Sequence, residues 1–167
     1  MIHTSRGFTL IETLVAISIL LVSLAGPLAI ASQSLSVAQY AREQIVAFYL
    51  AQEGVEYVRT VRDENLLSGG NWLAGLNNCT NGCEVDFKNF NHSTCGGGVC
   101  DPLTETALGY YDHSGSGTVS PYTRKVTIQP VTLNSPNDAA IVTVELSWSN
   151  GVQNRQFEIR TMLFEWI

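Results

Sequence analysis

Charge is what this chain has least of. Charged residues fill 14% of its 167 positions, with 9 basic against 15 acidic for a net of −6. So thin a cationic complement argues against broad binding to a phosphate backbone, which needs clustered Lys and Arg, and nucleic acid is an unlikely partner. No nucleophile elbow, phosphate-cradling glycine loop or dinucleotide fingerprint occurs. Of the 3 histidines, His3 lies near the start, while His92 and His113 fall in Asn-, Ser- and Gly-rich stretches that read as exposed loops. The expectation is a non-enzymatic chain with no catalytic residue, metal or cofactor. No internal repeat is apparent. The most telling absence is local: from Thr13 to Ala41 there is no charged residue.

Within that interval the most apolar part, Thr13 to Ala31, would be about 29 Å long as a helix, one bilayer core. A membrane-spanning segment is therefore expected at the start of the chain. Glu12 interrupts its apolar surface, and a carboxylate near the middle of a membrane helix costs about 2.5 to 3.5 kcal/mol, less near an end. Such a residue needs a partner. Arg6 lies on the short side of the span and the large remainder follows it, which predicts a cytoplasmic N-terminus and an external head. A secretory signal peptide is the competing reading, because Ala29-Ile30-Ala31 has the small-x-small form of a cleavage site and Pro27 lies just upstream. Against it stand the length of the apolar run, Glu12 inside it, and a positive region of one residue.

The polar leader Met1 to Gly7, with Arg6 beside Gly7, then Phe8-Thr9-Leu10-Ile11-Glu12 and the apolar run, resembles the class III signal of type IV pilins and pseudopilins. The resemblance implies that a prepilin peptidase cuts between Gly7 and Phe8 and methylates Phe8. Losing Arg6 with the leader takes the 9 basic residues to 8 against 15 acidic ones, a net of −7. The resemblance further implies assembly through the N-terminal helix. The new α-amino group at Phe8 and the Glu12 carboxylate are opposite charges, so Glu12 is expected to pair with the N-terminus of a neighbouring subunit, the alternatives being a place at the membrane interface or a pair with its own N-terminus. The partners implied are the peptidase, other pilin subunits, an inner-membrane assembly platform, and the lipid bilayer before assembly. The chain is then a single-pass cytoplasmic membrane protein first and part of an extracellular or periplasmic filament afterwards. Its function is that of a structural subunit of a type IV pilus or pilus-like filament. Alternatives are a pseudopilin of a type II secretion or DNA-uptake system, and a pilus-displayed adhesin whose contact surface is the loop region from Cys79 to Cys100.

Residues 8 to 64 read as one helix, about 85 Å if unbroken, with 8–31 as membrane and assembly segment and 32–64 as soluble stem. Gly26-Pro27 is its weak point: Pro27 has no N–H for the Ser23 carbonyl, so a kink or local opening is expected, and the family resemblance implies flexibility there. Beyond the membrane two apolar stripes run along the helix: Ala38, Ala41, Ile45, Phe48 and Val55 on one, and Val46, Leu50, Tyr57 and Val61 on the other. They suggest two contacts, one with the chain's own head and one with neighbouring helices, unless both enter one wide core face. Arg59 and Arg62 suit the negative end of the helix dipole. Leu50 to Arg59 is similar to the stem end of minor-pilin-like sequences.

The head, 65–167, begins at the turn cluster Ser68-Gly69-Gly70-Asn71, after which Trp72, Leu73 and Leu76 are expected to pack onto the helix. Four cysteines follow, Cys79, Cys83, Cys95 and Cys100. Their spacing fits zinc poorly, and outside the cytoplasm disulfides persist, so two bridges are expected. Nearby glycines would let two small loops close, favouring Cys79 to Cys83 and Cys95 to Cys100. Glu84 to Phe87 and Leu108 to Tyr111 read as short strands with loop between them, and 112–117 as a solvated turn. Tyr122 to Val131, Ile141 to Trp148 and Arg155 to Phe164 alternate with period two, and Asn150-Gly151 signals a hairpin. Arg124, Lys125, Arg155 and Arg160 on these strands offer a small basic patch or a solvated sheet face. The fold class is α+β, a long N-terminal helix packed on an antiparallel sheet.

Overall fold

Thr9 and Glu12 set the start of the first element in the computed structural model, which describes residues 7–134, 138–151 and 153–165. The Thr9 Oγ1 accepts the Glu12 N–H at 3.4 Å, and the order Thr-x-x-Glu is that of a capping box. Helix α1 runs Leu10–Leu67 with Pro27 inside it. The leader residues 1–6, and positions 135–137 of the turn before the second long strand, lie outside the described residues.

The helix ends at Leu67, three residues beyond the expected end at 64. The Gly69 N–H bonds the Leu66 carbonyl at 3.0 Å and the Gly70 N–H bonds the Asn65 carbonyl at 3.1 Å, with Gly69 at φ 70°. This is a Schellman stop, and glycine takes its left-handed position without strain. The extra turn displaces Arg59 and Arg62 from the helix end, correcting their expected role toward the dipole. Arg59 instead pairs with Glu56 at 2.5 Å and Arg62 with Asp63 at 2.6 Å.

The chain divides into two units between Glu43 and Gln44. In the first, every described residue up to Gln39 is exposed, and helical assignment continues through Gly26 and Pro27 without a gap. The second unit holds the rest of α1 and the sheet. There the helix buries Ala47, Leu50, Ala51, Gly54, Val55, Tyr57 and Val58. The stripe of Leu50 and Tyr57 is thus the inner one, while Ile45 and Phe48 of the other stripe stay exposed and only its Val55 turns inward. One face serves the head, and the two stripes do not share one broad core face.

Among the described residues seven strands form one sheet: β1 (Cys83–Asp86), β2 (Asn91–Thr94), β3 (Pro102–Glu105), β4 (Tyr111–Asp112), β5 (Thr118–Val131), β6 (Ala139–Ser149) and β7 (Asn154–Phe164). β5 is its spine. One edge of β5 pairs with β6, from Tyr122 opposite Trp148 to Val131 opposite Ala139, and β7 continues the antiparallel meander. Its other edge takes β3 near Thr118 to Thr123 and β1 at Val126. Tyr122, Val126 and Ile128 of β5 and Val142, Val144, Leu146 and Trp148 of β6 are buried, as the period-two alternation requires. Trp72, Leu73 and Leu76 are buried as well.

The meander matches expectation, and the segment before it does not. β2 and β3 occupy what reads in sequence as loop. Their polar residues carry no apolar alternation, and pairing comes from β1 (Cys83 opposite Thr94) and from β5. The expected strand at Leu108 to Tyr111 is mostly a turn, closed by Thr106 N–H to Tyr110 carbonyl at 2.8 Å, so only Tyr111 and Asp112 pair. Both disulfides form as the glycine argument favoured, Cys79 with Cys83 and Cys95 with Cys100.

Candidate functional site

Two regions carry chemistry that the scaffold alone does not require. The first is the helix start. Gly7, Phe8 and Thr9 precede the helix, and Glu12 lies in its first turn. Phe8, Leu10 and Ile11 are 79%, 81% and 69% exposed, so no contact among the described residues covers the apolar surface beside the acid. Hydroxyls in this stretch turn back on the helix: Thr13 donates to the Leu10 carbonyl, Ser18 to Leu14, Ser23 to Leu20 and Ser34 to Ile30, each at 2.8 Å. Every one of those polar groups is thereby satisfied without water, the condition for entering lipid or a helix bundle. By length and composition α1 can cross a membrane. A Cβ at Gly7 or Gly26 would meet nothing within 4 Å, so neither glycine is required by packing among the described residues.

The second region is the polar interior of the head. Arg124 follows the same phase as Tyr122, Val126 and Ile128, and its side chain is fully buried. Its guanidinium donates to the Leu50 carbonyl at 3.0 Å and the Val85 carbonyl at 2.6 Å, and lies 3.2 Å from Glu53. It is therefore no part of a basic patch, correcting that reading. The alternation of β5 contained the signal, since an arginine in the inward phase must find partners inside. Burial draws its pKa down, against the opposing charge of Glu53 and a weaker one from Asp86.

The histidines also depart from expectation. His92 lies in β2, where its Nε2 donates to the Gly75 carbonyl at 2.8 Å and its Nδ1 accepts from the Tyr57 hydroxyl at 2.8 Å. Burial, reinforced by the charges of Asp86 and Glu64, raises the Tyr57 pKa. His113 is only 11% exposed in its side chain, with Nδ1 3.7 Å from Glu84. Burial lowers its pKa, and Glu84 opposes that only in part. The flanking Asn, Ser and Gly suggest exposed loops and give no sign of the partners, Tyr57 and Glu84, that the fold brings to these histidines.

The turn at 112–117 is solvated only beyond its first residues. Asp112 is fully buried and accepts from the Ser114 N–H at 3.1 Å and hydroxyl at 2.7 Å, with Lys88 Nζ 3.3 Å away. Burial pulls its pKa up, and these hydrogen bonds and the Lys88 charge more than reverse it, leaving it lowered. Among the described residues one group of potential metal ligands clusters, Glu84, Cys95 and Cys100. Its two sulfurs are bonded to each other and offer no thiolate.

Residues 2–26 match the family model described as the prokaryotic N-terminal methylation motif. No curated protein and no solved structure matches the chain.

Proposed function

We propose that this chain, which carries a type IV pilin-type methylation signal ahead of a pilin-like α+β head, is a non-enzymatic subunit of a type IV pilus or pilus-like filament. The observation that carries the proposal is the junction of that motif with an uncovered apolar helix. In this reading a prepilin peptidase cleaves after Gly7 and methylates Phe8, and the precursor waits in the cytoplasmic membrane with the head outside. The apolar surface of 8–31 has two acceptable solvents, lipid and a bundle of related helices, and assembly exchanges one for the other. Gly26-Pro27 supplies the flexible point of that exchange, since Pro27 removes one ladder hydrogen bond.

Glu12 sets the register of assembly. Cleavage creates an α-amino group at Phe8, and leaving either charge unpaired in an apolar core would cost several kcal/mol. Pairing Glu12 of one subunit with the N-terminus of a neighbour removes much of that cost. The exposed stripe of Ala38, Ala41 and Ile45 extends the same assembly surface. A pseudopilin in a type II secretion or DNA-uptake machine would use the same helix chemistry.

The deciding experiment is the N-terminal sequence and intact mass of the mature protein. A start at Phe8 with one additional methyl group is expected. A start at Ser32, or an uncut Met1, overturns the proposal.

A further inference from the structure

We infer that the head binds the ring of a neutral saccharide in the cleft formed by Glu53, Phe87, Lys88, Tyr110 and Tyr111. The cleft encloses about 320 Å³, the lower end of the range for small-molecule sites of about 300 to 1,000 Å³. Three aromatic side chains and two charged ones line it, drawn from α1, the turn after β1 and the entry to β4. Phe87 and Tyr110 remain 44% and 60% exposed, although burying aromatic surface is among the stronger gains open to a fold.

The lining is held from behind. Glu53 pairs with the fully buried Arg124 at 3.2 Å. Lys88 pairs with Asp112 at 3.3 Å, itself fixed by Ser114. Tyr111 meets Tyr122 edge-on at 5.8 Å between ring centres, and Tyr122 leans on Trp148 at 6.1 Å. A site so supported loses little freedom on binding.

Its charges select the ligand class. The two charged groups of the lining are already paired within the protein, Glu53 with Arg124 and Lys88 with Asp112, so a charged ligand would have to displace Arg124 or Asp112. A neutral ring with hydroxyl groups avoids that competition. Its hydroxyls can donate to the Glu53 carboxylate and accept from the remaining Lys88 N–H groups, while its electropositive C–H face lies against the negative faces of the aromatic rings. The cysteine-loop hollow bounded by Asn78, Asn81, Gly82, Thr94, Cys95, Gly97 and Gly98 has no aromatic or charged wall and lacks these features. This inference concerns the head and stands apart from assembly, so unassembled protein suffices to test it.

The full chain in a sugar-free zwitterionic detergent is titrated with methyl glycosides of glucose, galactose and N-acetylglucosamine, read by saturation-transfer NMR and calorimetry. At least one glycoside should show saturation transfer to its ring C–H protons. Tyr110→Ala and Phe87→Ala should each weaken that binding about tenfold or more, with the unfolding midpoint unchanged. Leu108→Ala, in the adjacent turn but outside the lining, should bind as the parent does. Absence of saturation transfer to all three glycosides, undiminished binding by Tyr110→Ala, or binding of choline or N-acetylneuraminate in place of neutral sugars overturns the inference.

Discussion

Arg124 and Glu53 meet at 3.2 Å between the central strand and the helix, with the arginine fully buried and the glutamate side chain about one-third exposed. The pair is asymmetric: Glu53 retains access to water, whereas Arg124 has only protein around it. Replacing arginine with an apolar chain of similar length would therefore be tolerated better than simple truncation, because long apolar residues can substitute for buried ions while truncation also leaves a cavity. Arg124→Ala should cost about 3 to 5 kcal/mol and Arg124→Met less than half of that, measured by denaturant unfolding of the full chain. Equal losses for the two would refute this account of the pair.

Gly54 is a point where the helix lies close against the sheet. A Cβ there would lie 3.0 Å from Val144 Cγ1 and 3.3 Å from Arg124 Cδ. Gly54→Val adds branched volume at a position with no room for it and should destabilise the head by about 1 to 3 kcal/mol, despite valine's better helix propensity. A melting temperature at or above that of the parent would show that the sheet yields there.

Acid should weaken the head in two steps. His113 has a lowered pKa, so the unfolded chain takes up its proton first. The stability due to neutral His113 is complete above about pH 6.5 and falls as pH drops from there through the folded pKa. Asp112, also lowered, adds a second loss that begins near pH 4 and continues below it. His113→Gln should abolish the first step and keep the second, as followed by unfolding midpoints across pH. A first step of undiminished size in that variant would assign it to another group.

Each disulfide closes a loop of only a few residues, so the loop-entropy model gives about 2 kcal/mol apiece. Replacing Cys95 and Cys100 together with serine should lower head stability by about that amount and leave membrane insertion intact, because the proposed membrane segment, 8–31, lies outside the head. Fractionation and unfolding curves of the double variant test both halves.

Glu12→Gln keeps the shape of the side chain and removes its charge. The variant should insert and be cleaved normally yet enter filaments poorly, scored by sheared-filament yield against membrane-retained protein. Wild-type incorporation would remove the proposed register role. It would leave Glu12 as part of the helix start, where its N–H already bonds Thr9.

Much of this architecture was legible because it follows from periodicity and from chemistry confined to a few adjacent residues. The uncharged run from Thr13 to Ala41, most apolar up to Ala31, makes the helix long and apolar enough to cross a membrane. The alternation in 122–131, 141–148 and 155–164, with Asn150-Gly151 between two of them, specifies strands and a hairpin. Closing two small cysteine loops needs only nearby glycines. Tertiary structure decided whatever depends on residues distant in sequence. His92 and His113 gain partners from α1 and β1 that their flanking residues do not announce, and β2 and β3 become strands because β1 and β5 offer them backbone pairing. Which stripe of the helix turns inward was decided by packing against the sheet, which Val144 approaches closely at Gly54. Arg124 could be placed on the inner face by its phase, but its worth depends on Glu53 and two carbonyls that only the folded chain brings within reach.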